Sequence, residues 1–239
     1  MIDDDGYRAL RDAIASGELL PTERLVEEDL SRRLGIGRAA VRMALVRREH
    51  DGLVEHERHR GARVRRVSAE EAVEILEVRA ALESLAARRA AERATPNDVR
   101  ELRAILREMR GKGERGDLMA MSDVNAALHR RILEISGHAT VRRLSGTLMS
   151  QIVRFQYRTV LLPGRPERSL REHAAIVEAI AAGDGDAAER AMRRHLSHVA
   201  EALRARAAAE GASAEGASAP PGRAPAAGPA RRGTRARRA

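Results

Sequence analysis

The chain has 239 residues, which is enough for one or two domains with a substantial hydrophobic core. Its formal charge is +9, but the segment after residue 210 holds six arginines and one glutamate and so supplies +5 of that charge. The remaining 210 residues carry only +4, which excludes an evenly basic protein that coats nucleic acid.

The sequence contains two Tyr, one Phe, no Trp and no Cys. Binding of single-stranded nucleic acid by base stacking needs more aromatic rings, so duplex DNA is the better candidate partner. The lack of Cys excludes disulfides, thiolate metal sites and a Cys nucleophile. No apolar run approaches the roughly 20 residues of a membrane span, and the acidic amino terminus is unlike a signal peptide. We therefore expect a cytoplasmic protein with no membrane partner.

Residues 30–52 follow the plan of a helix-turn-helix. The pattern predicts a short helix, a turn with two glycines at residues 35–37, and a second helix over about residues 38–50. Arg38 and Arg42 lie one turn apart near the start of the second helix, where the recognition helix of such a motif enters the major groove. The alternative is an ordinary helical hairpin with solvated arginines.

Two short runs of β character follow, at residues 53–57 and 62–66. They predict a two-stranded wing directly after the recognition helix, with basic residues at its tip. Gly61 at this tip lets the backbone approach DNA closely, because it has no side chain. Arg47 on the recognition helix and His59 in the wing are further candidate DNA contacts.

The same region carries a series of short motifs, at residues 7–16, 17–21 (GELLP), 24–30 (RLVEEDL), 34–36 (LGI), 41–45 (VRMAL), 52–54 (GLV) and Gly61. Together they resemble the amino-terminal domain of GntR-type bacterial transcription regulators, over residues 1–66. The resemblance implies a winged helix-turn-helix in which Arg38, Arg42 and Gly61 contact DNA. The chain departs from the family pattern in its turn and recognition helix, and it has Glu28 where a phosphate-contacting Arg is common. It also departs from the family pattern at Gly37, Ala39 and Ala40, where the family usually has hydroxyl or proline residues.

From Ser68 onward the pattern predicts helices only, and therefore an all-helical bundle over residues 68–210. Residues 68–71 (SAEE) form a capping box that opens the first helix. We expect six helices, which span approximately residues 68–94, 95–111, 117–136, 140–160, 166–183 and 184–209. Residues 211–239 are rich in Ala, Gly, Pro and Arg and are expected to form a disordered basic tail. Its arginines either add nonspecific affinity for phosphate or are simply solvated.

Polar residues interrupt the apolar stripes of three of these helices. Asn125 and His129 lie one turn apart on the third helix, His173 lies on the apolar face of the fifth, and His195 on that of the sixth. One buried imidazole is often a hydrogen-bonded core residue, whereas three that face one interior favour a metal site. Imidazole together with an oxygen ligand suits a divalent transition metal such as Zn, Ni, Fe or Mn.

Arg79 lies on the apolar face of the first long helix, where a guanidinium needs a partner. Glu83, one turn further on, is one candidate, and the carboxylate of a small effector is the other. Arg154, between two apolar residues, is a weaker candidate for binding the same effector.

Residues 68–210 resemble the FCD effector domain of the FadR subfamily of these regulators. The matching motifs are at residues 77–83, 125–133, 172–180 and 192–196. The resemblance implies that Asn125, His129, His173 and His195 hold the metal. Leu128 stands where the family usually has a Phe.

We interpret the chain as mainly α, with an N-terminal winged helix-turn-helix and a C-terminal six-helix bundle of FCD type. We expect the chain to be a homodimeric transcription regulator that binds a palindromic operator in double-stranded DNA. Repression is the commoner outcome for regulators of this family, so a repressor is expected. A metal ion and a small organic acid effector in the bundle would alter its operator affinity. The alternatives are a metal-dependent enzyme that acts on a small acid and a nonspecific architectural DNA-binding protein.

Overall fold

The computed structural model describes residues 2–16, 18–50, 52–57 and 61–217. They form an amino-terminal domain of three helices with a small sheet, followed by a carboxy-terminal helical bundle. This architecture confirms the predicted fold class. Within the described ranges, no helix combines the length and the hydrophobicity that crossing a membrane requires.

The amino-terminal domain places a three-stranded antiparallel sheet beside three helices, and its strand order is β1-β3-β2. The short strand β1 was not predicted, because two residues are too few to show the alternation that marks a strand. A closed cluster of apolar side chains joins sheet and helices, with Leu10, Leu30 and Val41 among its buried members. The elements are α1 (Ile2–Ser16), β1 (Arg24–Leu25), α2 (Glu27–Leu34), α3 (Arg38–His50), β2 (Val54–Glu57) and β3 (Gly61–Val64).

The predicted helix-turn-helix is formed by α2 and α3. Gly35 ends α2 in the left-handed conformation (φ 66°), which a residue without a Cβ adopts at little cost, and its N–H donates to Ser31 O. Val41, Ala44 and Leu45 of α3 are buried against the domain core. The opposite side of α3, which begins with Arg38, is left for solvent.

The carboxy-terminal bundle contains seven helices, one more than predicted. The expected helix over residues 140–160 is interrupted at Ile152, which is buried and has non-helical dihedral angles (φ −107°, ψ 14°). Neither Gly nor Pro marks this break, so it follows from packing and not from local chain preference. The helices are α4 (Ala69–Arg93), α5 (Pro96–Glu114), α6 (Leu118–Ile135), α7 (Ala139–Gln151), α8 (Val153–Val160), α9 (Arg165–Ala181) and α10 (Gly185–Ala217).

The starts of α4 and α5 follow from their caps. The Ser68 hydroxyl accepts a hydrogen bond from the Glu71 N–H, and Thr95 and Asp98 form a complete capping box. Helix α10 continues to Ala217, beyond the predicted end near residue 209. The rest of the predicted tail, residues 218–239, lies outside the described residues. Helix α4 packs along α10 and also contacts α6, α7 and α9, so the core of the bundle lies around α4.

Candidate metal centre and nucleic-acid interface

Three buried histidines from three helices meet in the bundle: His129 of α6, His173 of α9 and His195 of α10. One ligand nitrogen of each ring lies within 4.8 Å of the other two. The Nε2 atoms of His129 and His173 are 3.2 Å apart. Neighbouring ligands of one ion with bonds of about 2.0–2.1 Å lie at about this separation. The predicted histidine set is therefore brought together.

The Nδ1 atoms of these rings are occupied on the side away from the cluster. The Nδ1–H of His129 donates to Glu83 Oε2 at 2.6 Å, and that of His195 donates to Glu172 Oε2 at 2.8 Å. His173 Nδ1 lies 3.3 Å from Ser169 Oγ. A neutral imidazole with its proton on Nδ1 has its lone pair on Nε2, so the two carboxylate contacts leave the Nε2 atoms of His129 and His195 free to accept or to bind a metal.

Each of the two carboxylates is also paired with a buried arginine. Arg79 Nε donates to Glu83 Oε1 at 2.7 Å, and Arg165 Nη1 donates to Glu172 Oε2 at 2.9 Å. The structure therefore shows the ion-pair alternative for Arg79. Burial raises the pKa of Glu83, but the charges of Arg79 and His129 outweigh it and lower the pKa to about 2. The cluster is therefore supported by two sets of hydrogen bonds, and each set links an arginine to a glutamate and that glutamate to a histidine.

Burial lowers the pKa of His173 and of His195 well below the usual value of a histidine. The neighbouring imidazoles, His195 and His129 for His173, and His129 for His195, lower it further. Neutral rings result, and neutral imidazole is the form that binds metal. Two Nε2 atoms 3.2 Å apart are compatible with a proton or a cation between them.

Asn125, the oxygen donor that the sequence predicts for this site, lines the same cavity as His129 and His195. Its Oδ1 is buried and has no hydrogen-bond partner among the described residues. A buried carbonyl oxygen without a partner costs folding free energy, and a cation at the histidine cluster would remove that cost. The donor set of three imidazoles and one amide oxygen therefore fits a divalent transition metal, which Asn125, His129, His173 and His195 would hold.

A cavity of about 60 Å³ adjoins the cluster. Its polar lining includes Arg79, Asn125, His129, His195 and Arg165, and the remainder is mainly apolar. The role of Arg165 was not predicted, nor was that of Ser169. Ser169 lies one turn before His173 on α9, and this spacing is a signal that could have found it, whereas Arg165 at the start of the helix carries no comparable signal. The side chain of Arg154 lies outside the described residues.

The predicted DNA-reading arginines lie on the exposed side of α3. Arg42 donates two hydrogen bonds to Glu27, and Arg38 pairs with Glu28 at 2.8 Å. Both guanidinium groups remain largely exposed, at 70% and 64% of the side chain. They are available to a duplex on one face of the domain.

The other predicted DNA contacts, Arg47, Gly61 and His59, differ in their surroundings. The guanidinium of Arg47 lies over the ring of Tyr7, 3.9 Å from its centroid. Gly61 is exposed at the start of β3 with φ 82°, a conformation that favours glycine. His59 lies outside the described residues.

A winged helix-turn-helix joined to a helical bundle defines a two-domain DNA-binding protein. Residues 4–64 match the family described as bacterial regulatory proteins, gntR family, and residues 74–198 match the FCD domain. The chain belongs to the GntR family of transcription regulators and carries an FCD domain. Because the family consists of regulators, the enzyme alternative is set aside, and this chain is a DNA-binding transcription regulator.

Relatives of similar sequence agree with this assignment, and solved structures show the same fold. The chain is 30% identical over 198 residues to the HTH-type transcriptional repressor RspR of Escherichia coli, covering 83% of this chain and 87% of that protein. It is 29% identical over 211 residues to the HTH-type transcriptional regulator LutR of Bacillus subtilis, covering 80% and 95%. The fold is similar to that of E. coli McbR/YncC, with a TM-score of 0.77, 21% identity and coverage of 86% and 98%. For Lar of Listeria monocytogenes these values are 0.59, 22%, 85% and 97%.

Proposed function

We propose that this regulator is a cytoplasmic, homodimeric repressor whose FCD domain binds a divalent transition metal and a small carboxylate effector that alters operator affinity. One observation carries the proposal. Three buried imidazoles have ligand nitrogens within 4.8 Å of one another, and an unpartnered amide oxygen lines the cavity beside them. No other set of groups that could hold a metal was found among the described residues. The relative RspR is named a repressor, which supports repression as the outcome.

A bound divalent ion would supply a positive, Lewis-acidic centre to which a carboxylate oxygen can bind. The chain's own residues prepare that centre. Glu83 and Glu172 hold His129 and His195 in orientation, and Arg79 and Arg165 hold the two glutamates. Arg79 also lines the cavity, where its charge adds to the attraction for an anion.

DNA binding is assigned to α3 and the wing. Arg38 and Arg42 contact base edges or phosphates in the major groove, with Arg47 and His59 as additional contacts. Gly61 approaches the backbone or the minor groove. A single recognition helix reads few bases, so two copies related by a two-fold axis would bind the two halves of a palindromic operator.

The bundle offers a surface for a second copy of this chain. Val78 and Leu85 lie two turns apart on α4 and are 51% and 39% exposed, and Leu144 on the adjacent α7 is 44% exposed. Large apolar side chains that lie together on one face favour association. A two-fold contact through these residues would join two bundles, and their exposure supports the homodimer.

Helix α8 connects the cavity to the DNA-binding domain. Phe155 lines both the cavity at the histidine cluster and a cleft of about 440 Å³ between the domains. Gln151, just before the break at Ile152, lies against Gly52 in the turn after α3. We propose that an occupied cavity shifts α8 and thereby favours a spacing of the two α3 helices that no longer fits the operator.

The metal content of purified variants tests the site. His129→Ala and His173→Ala should each remove most of the metal that the wild-type chain retains, as measured by elemental analysis. His198→Ala is the matched control, because its ring also binds Glu172 but lies outside the cluster. Full retention of metal by both cluster variants would refute the site.

A further inference from the structure

Two buried polar atoms at the cavity have no hydrogen-bond partner within the part of the chain that the structure describes. One is the acceptor Asn125 Oδ1, and the other is the donor group at Arg165 Nη2. Both residues line the cavity. The amide oxygen is satisfied by a cation, whereas the guanidinium N–H is satisfied only by an acceptor. A metal ion and a hydrogen-bond acceptor in the cavity would satisfy both atoms, and a carboxylate is an acceptor that also matches the charge of Arg165.

Arg165 is fixed in place by its neighbours. It is the first residue of α9, and its side chain is only 8% exposed. Its Nη1 donates to Glu172 Oε2, which also accepts from His195 Nδ1. The planar guanidinium is held by this contact, so the unpartnered Nη2 has a defined position beside the histidine cluster. Arg79 also pairs with a buried carboxylate, that of Glu83, but it has no nitrogen among the buried atoms without a partner.

The cavity also limits the size and charge of its occupant. A cavity needs about 10–15 Å³ to hold one water molecule. The 60 Å³ cavity therefore has room for about four to six groups of that size. Met121, Ile152 and Leu196 contribute to an apolar wall. A second carboxylate against this wall would be buried without a partner, which is costly.

We infer that Arg165 binds the effector's carboxylate directly, and that the effector is a small monocarboxylic acid of about four to six non-hydrogen atoms. This inference rests on the proposed effector function and names the residue and the ligand class. Arg165 thereby has two roles: it orients His195 through Glu172, and it binds the acid through its remaining N–H groups. Arg79, which also lines the cavity, adds positive potential there.

Binding of acetate, pyruvate and citrate to the zinc-loaded full chain tests the inference by calorimetry. Arg165→Lys keeps a charge near Glu172 but has one donor nitrogen and not two, so the smaller acids should bind roughly tenfold to a hundredfold more weakly. Arg165→Gln should abolish their binding. Arg168→Gln is the matched control, because Arg168 pairs with the same Glu172 but is largely exposed. Its acid affinity and zinc content should equal those of the wild type.

Each result bears on a different claim. Equal acid affinity in the wild type and both Arg165 variants would overturn the role of Arg165. Citrate that binds as tightly as acetate would overturn the size limit, and zinc-loaded wild type that binds none of the acids would overturn the whole inference. If Arg165→Gln also loses zinc, the acid affinity of Arg165→Lys with normal zinc content decides whether Arg165 binds the acid. A wild type without zinc that still shows Arg165-dependent acid binding would support this inference and show that the acid does not need the metal, whereas the metal centre itself is tested by metal content.

Discussion

Glu27 of α2 accepts two hydrogen bonds from the guanidinium of Arg42 of α3, from Nε at 3.0 Å and from Nη2 at 2.8 Å. These hydrogen bonds lower the pKa of Glu27, so it is a carboxylate at neutral pH. The contact holds the predicted base-reading arginine in one orientation. It also places a negative charge where DNA phosphates would approach.

Glu27→Gln should therefore reduce discrimination between operator and random DNA. The loss of a negative charge raises affinity for any duplex severalfold, while a less restrained Arg42 reads bases less selectively. Fluorescence anisotropy with both DNAs at one salt concentration measures the two affinities, and the operator is first selected from a random pool by the protein itself. An unchanged ratio of affinities would show that Glu27 does not position Arg42.

Arg42→Ala should weaken operator binding by about 1–3 kcal/mol, the value of a good side-chain contact to a base. The bundle is not touched by this change, so the oligomeric state in gel filtration should remain that of the wild type. Arg100→Ala on the exposed face of α5 is the control and should bind the operator normally. Operator affinity that is the same in Arg42→Ala and the wild type would refute the assignment of α3 to the groove.

Glu83→Ala should lower the free energy of unfolding by about 3–5 kcal/mol, because it leaves the charge of Arg79 buried without a partner. The double change Arg79→Met with Glu83→Leu removes both charges and should recover much of the loss. Glu178→Ala, which breaks an exposed pair with Arg103, should have only a small effect. Urea unfolding followed by circular dichroism at one protein concentration measures all of these, since the chain has no Trp. Equal losses in Glu83→Ala and Glu178→Ala would contradict the buried pair.

Phe155→Ala should uncouple the two domains. It removes a ring that lines both the cavity and the interdomain cleft, but no proposed metal ligand and no proposed DNA contact. The difference in operator affinity between zinc-loaded and chelator-treated protein should shrink, while zinc content stays constant. Val199→Ala, which lines only the cavity, should keep most of the difference. If Phe155→Ala retains the full difference, α8 is not the connection.

Much of the fold could be predicted because local signals mark its boundaries. Ser68 and Thr95 start helices through side-chain caps, and Gly35 and Gly137 stop them with a positive φ. The break at Ile152 carries no such signal, because buried contacts from other helices determine it.

Some residues of the candidate site could also be predicted from the sequence, and others could not. His129, His173 and His195 could be found because each is a polar residue on an apolar helical stripe. Arg165 could not be found by that rule, because it lies at a helix start, where a charged residue is ordinary. Its burial is visible only when α9 and α10 are placed together, with Glu172 between it and His195.

The central claim is that the histidine cluster binds a metal ion, and anomalous diffraction from crystals of the protein as purified tests it most directly. We expect one anomalous peak in the bundle, at about 2.0–2.2 Å from the Nε2 atoms of His129, His173 and His195 and close to Asn125 Oδ1. The absorption edge at which the peak appears would identify the metal. A map with no peak there in metal-supplemented crystals, and with the three rings hydrogen-bonded only to one another, would contradict the account.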